Sequence, residues 1–100
     1  MKVTFRTRKL EREYCKSAMA TKAYGVQVAR KYIQRINIIK HAQNIDELAG
    51  LPGLRCHPVK GDRHGQFAVN LTGFYRLIFT LHGDALEIAK IEEVSKHYGA

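Results

Sequence analysis

The apolar pattern of this chain changes period once, near residue 53, and that change limits its fold more than any other feature. Before it, apolar residues recur at helical spacing; after it, they alternate. Over residues 21–43 the stripe Ala29, Tyr32, Ile36 and Ile39, with Val28 and Ile33 beside it, predicts one long helix capped by Thr21 and running to about Gln43. Its opposite face carries Gln27, Arg30, Lys31, Gln34 and His41. Farther on, Phe67, Val69 and Leu71 alternate with Gln66, Ala68 and Asn70. Tyr75, Leu77, Phe79 and Leu81 then alternate with Arg76, Ile78 and Thr80. Thr72-Gly73 and His82-Gly83-Asp84 mark turns, and a further strand runs from about Leu86 to Ile91, with a bulge or strand end expected near Lys90–Glu92. Connections this short exclude a parallel crossover, so these strands pair antiparallel. Lys2–Arg6 reads as a short strand and Arg8–Lys16 as weakly helical. Asn44-Ile45-Asp46-Glu47 opens a helix that Gly50 and Pro52 end after little more than a turn. The expectation is an α+β domain whose N-terminal helices pack on one face of an antiparallel sheet and leave the other face for a ligand.

A length of 100 residues allows a single domain, 1–100, with one core. No apolar run approaches the length of a membrane span, and the charged first nine residues lack the apolar segment of a secretory signal. A soluble, cytoplasmic protein with no membrane partner is expected. Cys15 and Cys56 form no CxxC pair, and His57 beside Cys56 lacks partners at zinc spacing. Two reduced thiols, no metal and no cofactor are therefore expected.

The net charge of +8 is unevenly placed. Residues 1–40 hold eleven Lys or Arg against two Glu, whereas residues 41–100 are nearly balanced at −1. A one-sided basic surplus suits a polyanion, because each neutralised phosphate releases counterions; it suits a solvated basic face as well. Arg30, Lys31 and Arg35 lie within the basic half, but charge alone does not separate RNA, DNA and an acidic protein as the partner.

Chemistry can sit in three places. The bent segment His57-Pro58-Val59-Lys60-Gly61-Asp62-Arg63-His64-Gly65 presents His57, Lys60, Arg63 and His64 within a few residues. Cutting RNA without a metal needs a base for the 2′-hydroxyl, cations for the crowded phosphate and an acid for the leaving oxygen. Imidazole suits both proton transfers, and Lys and Arg suit the phosphate; a basic surface loop has the same composition. Arg76 stands in an apolar strand, where it requires either an ion pair with Glu87 or Asp62 or a phosphate to contact. Finally, His97-Tyr98 follows the last strand, either as a frayed end or docked beside the sheet.

Taken together, Leu51-Pro52-Gly53-Leu54-Arg55-Cys56-His57-Pro58-Val59-Lys60-Gly61-Asp62-Arg63, Gly65-Gln66-Phe67, Tyr75-Arg76-Leu77-Ile78-Phe79 and Glu93-Val94-Ser95-Lys96-His97-Tyr98 resemble the HigB branch of the RelE/ParE toxin superfamily. The resemblance is specific over residues 51–98 and loose before residue 22. It implies a microbial-RNase-like fold and a metal-independent endoribonuclease that cleaves mRNA on the ribosome. It also implies neutralisation by a cognate antitoxin, often of helix-turn-helix type. His57 and Lys60 match the family's catalytic His and Lys, and Arg76 its strand arginine. The family's closing Asp-Tyr-His corresponds to His97, Tyr98 and Gly99, so Tyr98 is kept and His97 stands in place of the Asp. The basic helical half, with Arg30, Lys31, Arg35 and also Arg63, would then dock mRNA and ribosomal RNA. A ParE-like gyrase inhibitor shares the fold, but His57, Lys60, Arg76 and Tyr98 together argue against it. A non-catalytic RNA-binding module would expose aromatics, whereas Phe67, Tyr75 and Phe79 face the core by alternation.

Overall fold

A computed structural model describes residues 1–61 and 65–96. The chain begins with strand β1 (Lys2–Phe5) and then builds a helical layer. Helix α1 (Arg8–Cys15) starts where the Thr7 side chain accepts the Leu10 N–H at 3.1 Å. Helices α2 (Ser17–Tyr24) and α3 (Val26–His41) follow, so the single long helix expected from Thr21 is in fact two. Gly25 separates them at φ 84° and ψ 164°, a conformation open to little but glycine. The Gly25 N–H closes α2 on the Thr21 carbonyl at 2.8 Å, which makes Thr21 part of a last turn and not a cap. The apolar stripe conceals the break because it lies wholly within α3, where Val28, Ala29, Tyr32, Ile36 and Ile39 are buried. As its sequence requires, Asn44 caps α4 (Ile45–Ala49), accepting the Glu47 N–H at 2.9 Å.

A buried carboxylate ties the helical layer together. Glu13 accepts a hydrogen bond from the Tyr24 hydroxyl at 2.5 Å, and the Tyr32 hydroxyl donates to the Leu10 carbonyl at 2.7 Å. Burial above all, and for Tyr24 then the Glu13 bond, raises both phenols beyond their ordinary range.

The sheet comprises β1, β2 (His57–Pro58), β3 (Gln66–Thr72), β4 (Tyr75–His82) and β5 (Ile88–Lys96), in the order β1-β5-β4-β3-β2. The pairs β2–β3, β3–β4 and β4–β5 are antiparallel, as turn length dictates. The expected wholly antiparallel sheet is nevertheless mixed, since β1 lies parallel to β5 with Val3 beside Ala89 and Phe5 beside Ile91. Turn length says nothing about partners so distant in sequence; the shared apolar face joins them. A register shift between Ile78 and Phe79 leaves Glu92 unpaired in β5, the irregularity expected near Lys90–Glu92.

One sheet face, with Val69, Leu71, Leu77, Phe79, Ala89 and Ile91, packs on the helices. The other carries Gln66, Ala68 and Asn70 of β3 and Arg76, Ile78 and Thr80 of β4. No helix covers that face among the described residues, yet Ile78 and Ala68 in its middle are fully buried. A Gly25→Ala variant tests the helix break. A Cβ there meets nothing within 4 Å, so the loss comes from backbone conformation alone, about 1–3 kcal/mol in urea unfolding. An unchanged midpoint would show that α2 and α3 can join continuously.

Candidate active site

Strand β2 is short and lies at the edge of the sheet, paired with β3. The Cys56 side chain packs against the core, and burial pushes its thiol up to about 11. His57, next along, pairs with Ala68 and so shares the open face. Its Nδ1 lies 2.7 Å from the Arg55 carbonyl, and Arg55 adopts a left-handed φ of 53°. A carbonyl can only accept, so Nδ1 carries the hydrogen, and the neutral ring keeps its lone pair on Nε2. Exposed His57 is thereby set up to take a proton. Lys60 lies exposed just past β2, where the Val59 N–H still reaches the Gln66 carbonyl at 2.9 Å.

Arg76 belongs to the same face. It pairs with Asn70 on one side and Ser95 on the other, one row along from the line His57–Ala68–Ile78–Glu93. At ordinary strand spacings the Cα atoms of Arg76 and His57 are roughly 12 Å apart, and the buried pair Ala68 and Ile78 continues the row of His57. Arg76 is half-buried, and its Nε has no hydrogen-bond partner among the described residues. Gln66 Oε1, on the same face, is likewise buried without a partner. Of the two ion pairs open to Arg76 from sequence, Glu87 is ruled out. It immediately precedes Ile88, whose partner His82 lies six residues up β4, about 20 Å away. Glu87 instead accepts the Ala85 N–H at 2.9 Å. Asp62, the other, lies outside the described residues, as do Arg63, His64, His97, Tyr98 and Gly99.

The remaining candidates are on the helical layer, behind the sheet. Arg30 is exposed on α3 and Lys31 half-buried. Arg35 reaches the sheet, its Nε donating to the Asn70 carbonyl at 3.0 Å and its Nη1 to Gln34 Oε1 at 3.2 Å. The first bond makes Arg35 a strut for the β3 backbone at Asn70, the partner of Arg76, and burial lowers its pKa. A polar network toward β1 has no complete signature in the alternation of residue types. The Thr80 hydroxyl donates to Glu92 Oε2 and meets His82 Nε2, each at 2.8 Å, while Arg6 Nε donates to the Glu92 carbonyl at 2.8 Å. Alternation places Thr80 and His82 on one face; Glu92 joins them only because of the bulge. The open face thus carries an exposed histidine at one edge and a half-buried guanidinium nearer its middle.

No family model and no curated protein sequence matches the chain. Solved structures do match in fold. The YoeB/ParE toxin from Agrobacterium tumefaciens is 20% identical with a TM-score of 0.66, over 98% of this chain and 100% of that one. A chain of the YoeB-YefM complex from Staphylococcus aureus is 15% identical at 0.63, over 98% of each. YafQ from E. coli strain BL21(DE3) is 14% identical at 0.59, over 97% of each. The chain therefore has the RelE-like toxin fold.

Two expected outcomes follow from this geometry. Replacing Arg76 by Met removes a buried donor, the Nε, that has no acceptor among the described residues, a group that typically costs about 1–3 kcal/mol. The Arg76→Met variant should unfold in urea no earlier than the parent; a clear loss of stability would assign Arg76 to an internal ion pair. The fold holds Cys56 as the neutral thiol, a contribution present below the ordinary thiol range and lost as pH rises through about 11. Iodoacetamide near about pH 8 should therefore modify exposed Cys15 alone, and Cys56 only at higher pH or after unfolding. Counting adducts by mass spectrometry checks this, and equal rates at the two thiols would take Cys56 out of the core.

Proposed function

We propose that this chain is the toxin of a type II toxin–antitoxin pair, an endoribonuclease of the HigB kind that cuts mRNA on the translating ribosome. Arg76 is the observation that carries the reading. A guanidinium half-buried in a sheet, without an acceptor for its Nε among the described residues, suits an anion supplied from outside. His57 supports the same reading, because its bond to Arg55 leaves Nε2 able to accept a proton.

In this scheme His57 takes the proton of a 2′-hydroxyl, whose oxygen attacks the neighbouring phosphorus. Arg76, with Lys60 and Arg63, stabilises the charge gathering on the phosphate oxygens. The bond to the 5′-oxygen breaks, and that oxygen leaves with a proton from His97, which Tyr98 positions; the products are a 2′,3′-cyclic phosphate and a free 5′-hydroxyl. His97 in the place of the family's Asp supports its assignment as the acid. The basic surplus of residues 1–40 adds long-range attraction to ribosomal RNA, with Arg30 and Lys31 its candidate contacts; Arg35, the third expected from sequence, is engaged by the β3 backbone instead. An antitoxin, of helix-turn-helix type on the HigB analogy, restrains the toxin in a soluble, cytoplasmic setting.

Expression of the chain alone should arrest growth, with pulse-labelled protein synthesis stopping before DNA synthesis. The opposite order would favour a ParE-like inhibitor of gyrase. In single-turnover cleavage of ribosome-bound mRNA, Arg76→Ala should slow the reaction by about 10²–10³. His57→Gln and His97→Gln should each lose about 10²–10⁴ and flatten opposite limbs of the pH–rate profile. Full activity with an unaltered profile in either His variant would remove that residue from the chemistry.

A further inference from the structure

Helix α3 is apolar on two sides, and only one of them is covered. Its core stripe, which includes Ala29, meets the sheet and the other helices, while a second line through exposed Val26 and half-buried Ile33 borders solvent. Two grooves follow that line. One, of about 510 Å³, lies where α3 meets α4 and includes Ile38 and Leu51. The other, of about 340 Å³, lies where α3 meets α2. They share Ile33 and Arg30, so together they run beside most of α3, about 24 Å at the ordinary helical rise. Val26 is 60% exposed and Leu51 38%, so apolar surface remains uncovered at both ends.

We infer that this side of α3 is a docking groove for an acidic amphipathic helix of a partner protein. Charge defines the occupant. Arg30 stands where the grooves meet, exposed and with no carboxylate partner among the described residues, and His41 lines the far end. The carboxylate in the lining, Glu47, already accepts the Gln43 N–H at 3.3 Å. A helix with leucines at i, i+4, i+7 and i+11 can seat them along Val26, Ile33 and Leu51, as ridges of one helix fill grooves of another. Acidic residues beside those leucines would meet Arg30 and the positive field of residues 1–40. RNA matches the charge but leaves the apolar line wet. A second copy matches the apolar line but sets Arg30 against Arg30 near the twofold axis and +8 against +8. The inference deepens the antitoxin part of the proposed function and rests on it only for the partner's biological role.

The test uses the full ¹⁵N-labelled chain and three probes: a synthetic helix of about 18 residues with leucines at that spacing and glutamates beside them, the same helix with lysine for glutamate, and a short single-stranded RNA. No cleavage is measured, so failure here leaves the nuclease reading standing, and loss of nuclease activity leaves this one. The glutamate helix should shift the amides of Val26–His41 and Leu51 and bind about tenfold tighter than its lysine counterpart. Arg30→Glu, an exposed change that spares the core, should reverse that preference, and Ile33→Asn should weaken both helices. Three results would overturn the inference: equal binding of the two helices, shifts of these amides by RNA and by neither helix, or concentration-dependent dimers that Ile33→Asn dissolves.

Discussion

A five-stranded sheet with a single layer of helices can bury only one of its faces, and most of the structure answers that constraint. On the covered side the strands supply an apolar set and α3 a matching stripe. On the other side Ile78 and Ala68 are excluded from solvent while Arg76 and Gln66 beside them keep atoms without a partner among the described residues. Buried polar groups are ordinarily satisfied, so these two atoms set this face apart from the helix-covered one. That contrast separates the front of the molecule from its back.

Much of this was legible because it depends on local period. The α3 stripe, the alternation through β3 and β4, and the Asn44 cap each follow from residue type at fixed spacing. Gly25 was not legible as a break, since the apolar stripe passes no judgement on backbone dihedrals beyond its own end. The parallel seat of β1 beside β5 is a pairing across nearly the whole chain, beyond any argument from turns. At the site, alternation sufficed to put Arg76 and Tyr75 on opposite faces. It could not show that Arg55 would adopt a positive φ and thereby fix the tautomer of His57, because that depends on where the chain enters β2.

The charge asymmetry has an equally concrete geometry. The basic half of the sequence builds β1 and most of the helical layer, so much of the positive charge stands behind the sheet. Long-range attraction does not require charge at the reacting atoms: over a molecule this small the field reaches around it, although salt weakens it beyond about 8–10 Å. Arg35 shows why counting cations overstates what is available, since its guanidinium serves as an internal brace.

The edge strand that carries His57 is two residues long and ends in Pro58, which has no N–H to offer. Such an edge gives an incoming strand almost nothing to zip onto. An added strand from another chain therefore has little purchase for extending the sheet past His57, and backbone pairing of that kind is left to the opposite margin, at β1.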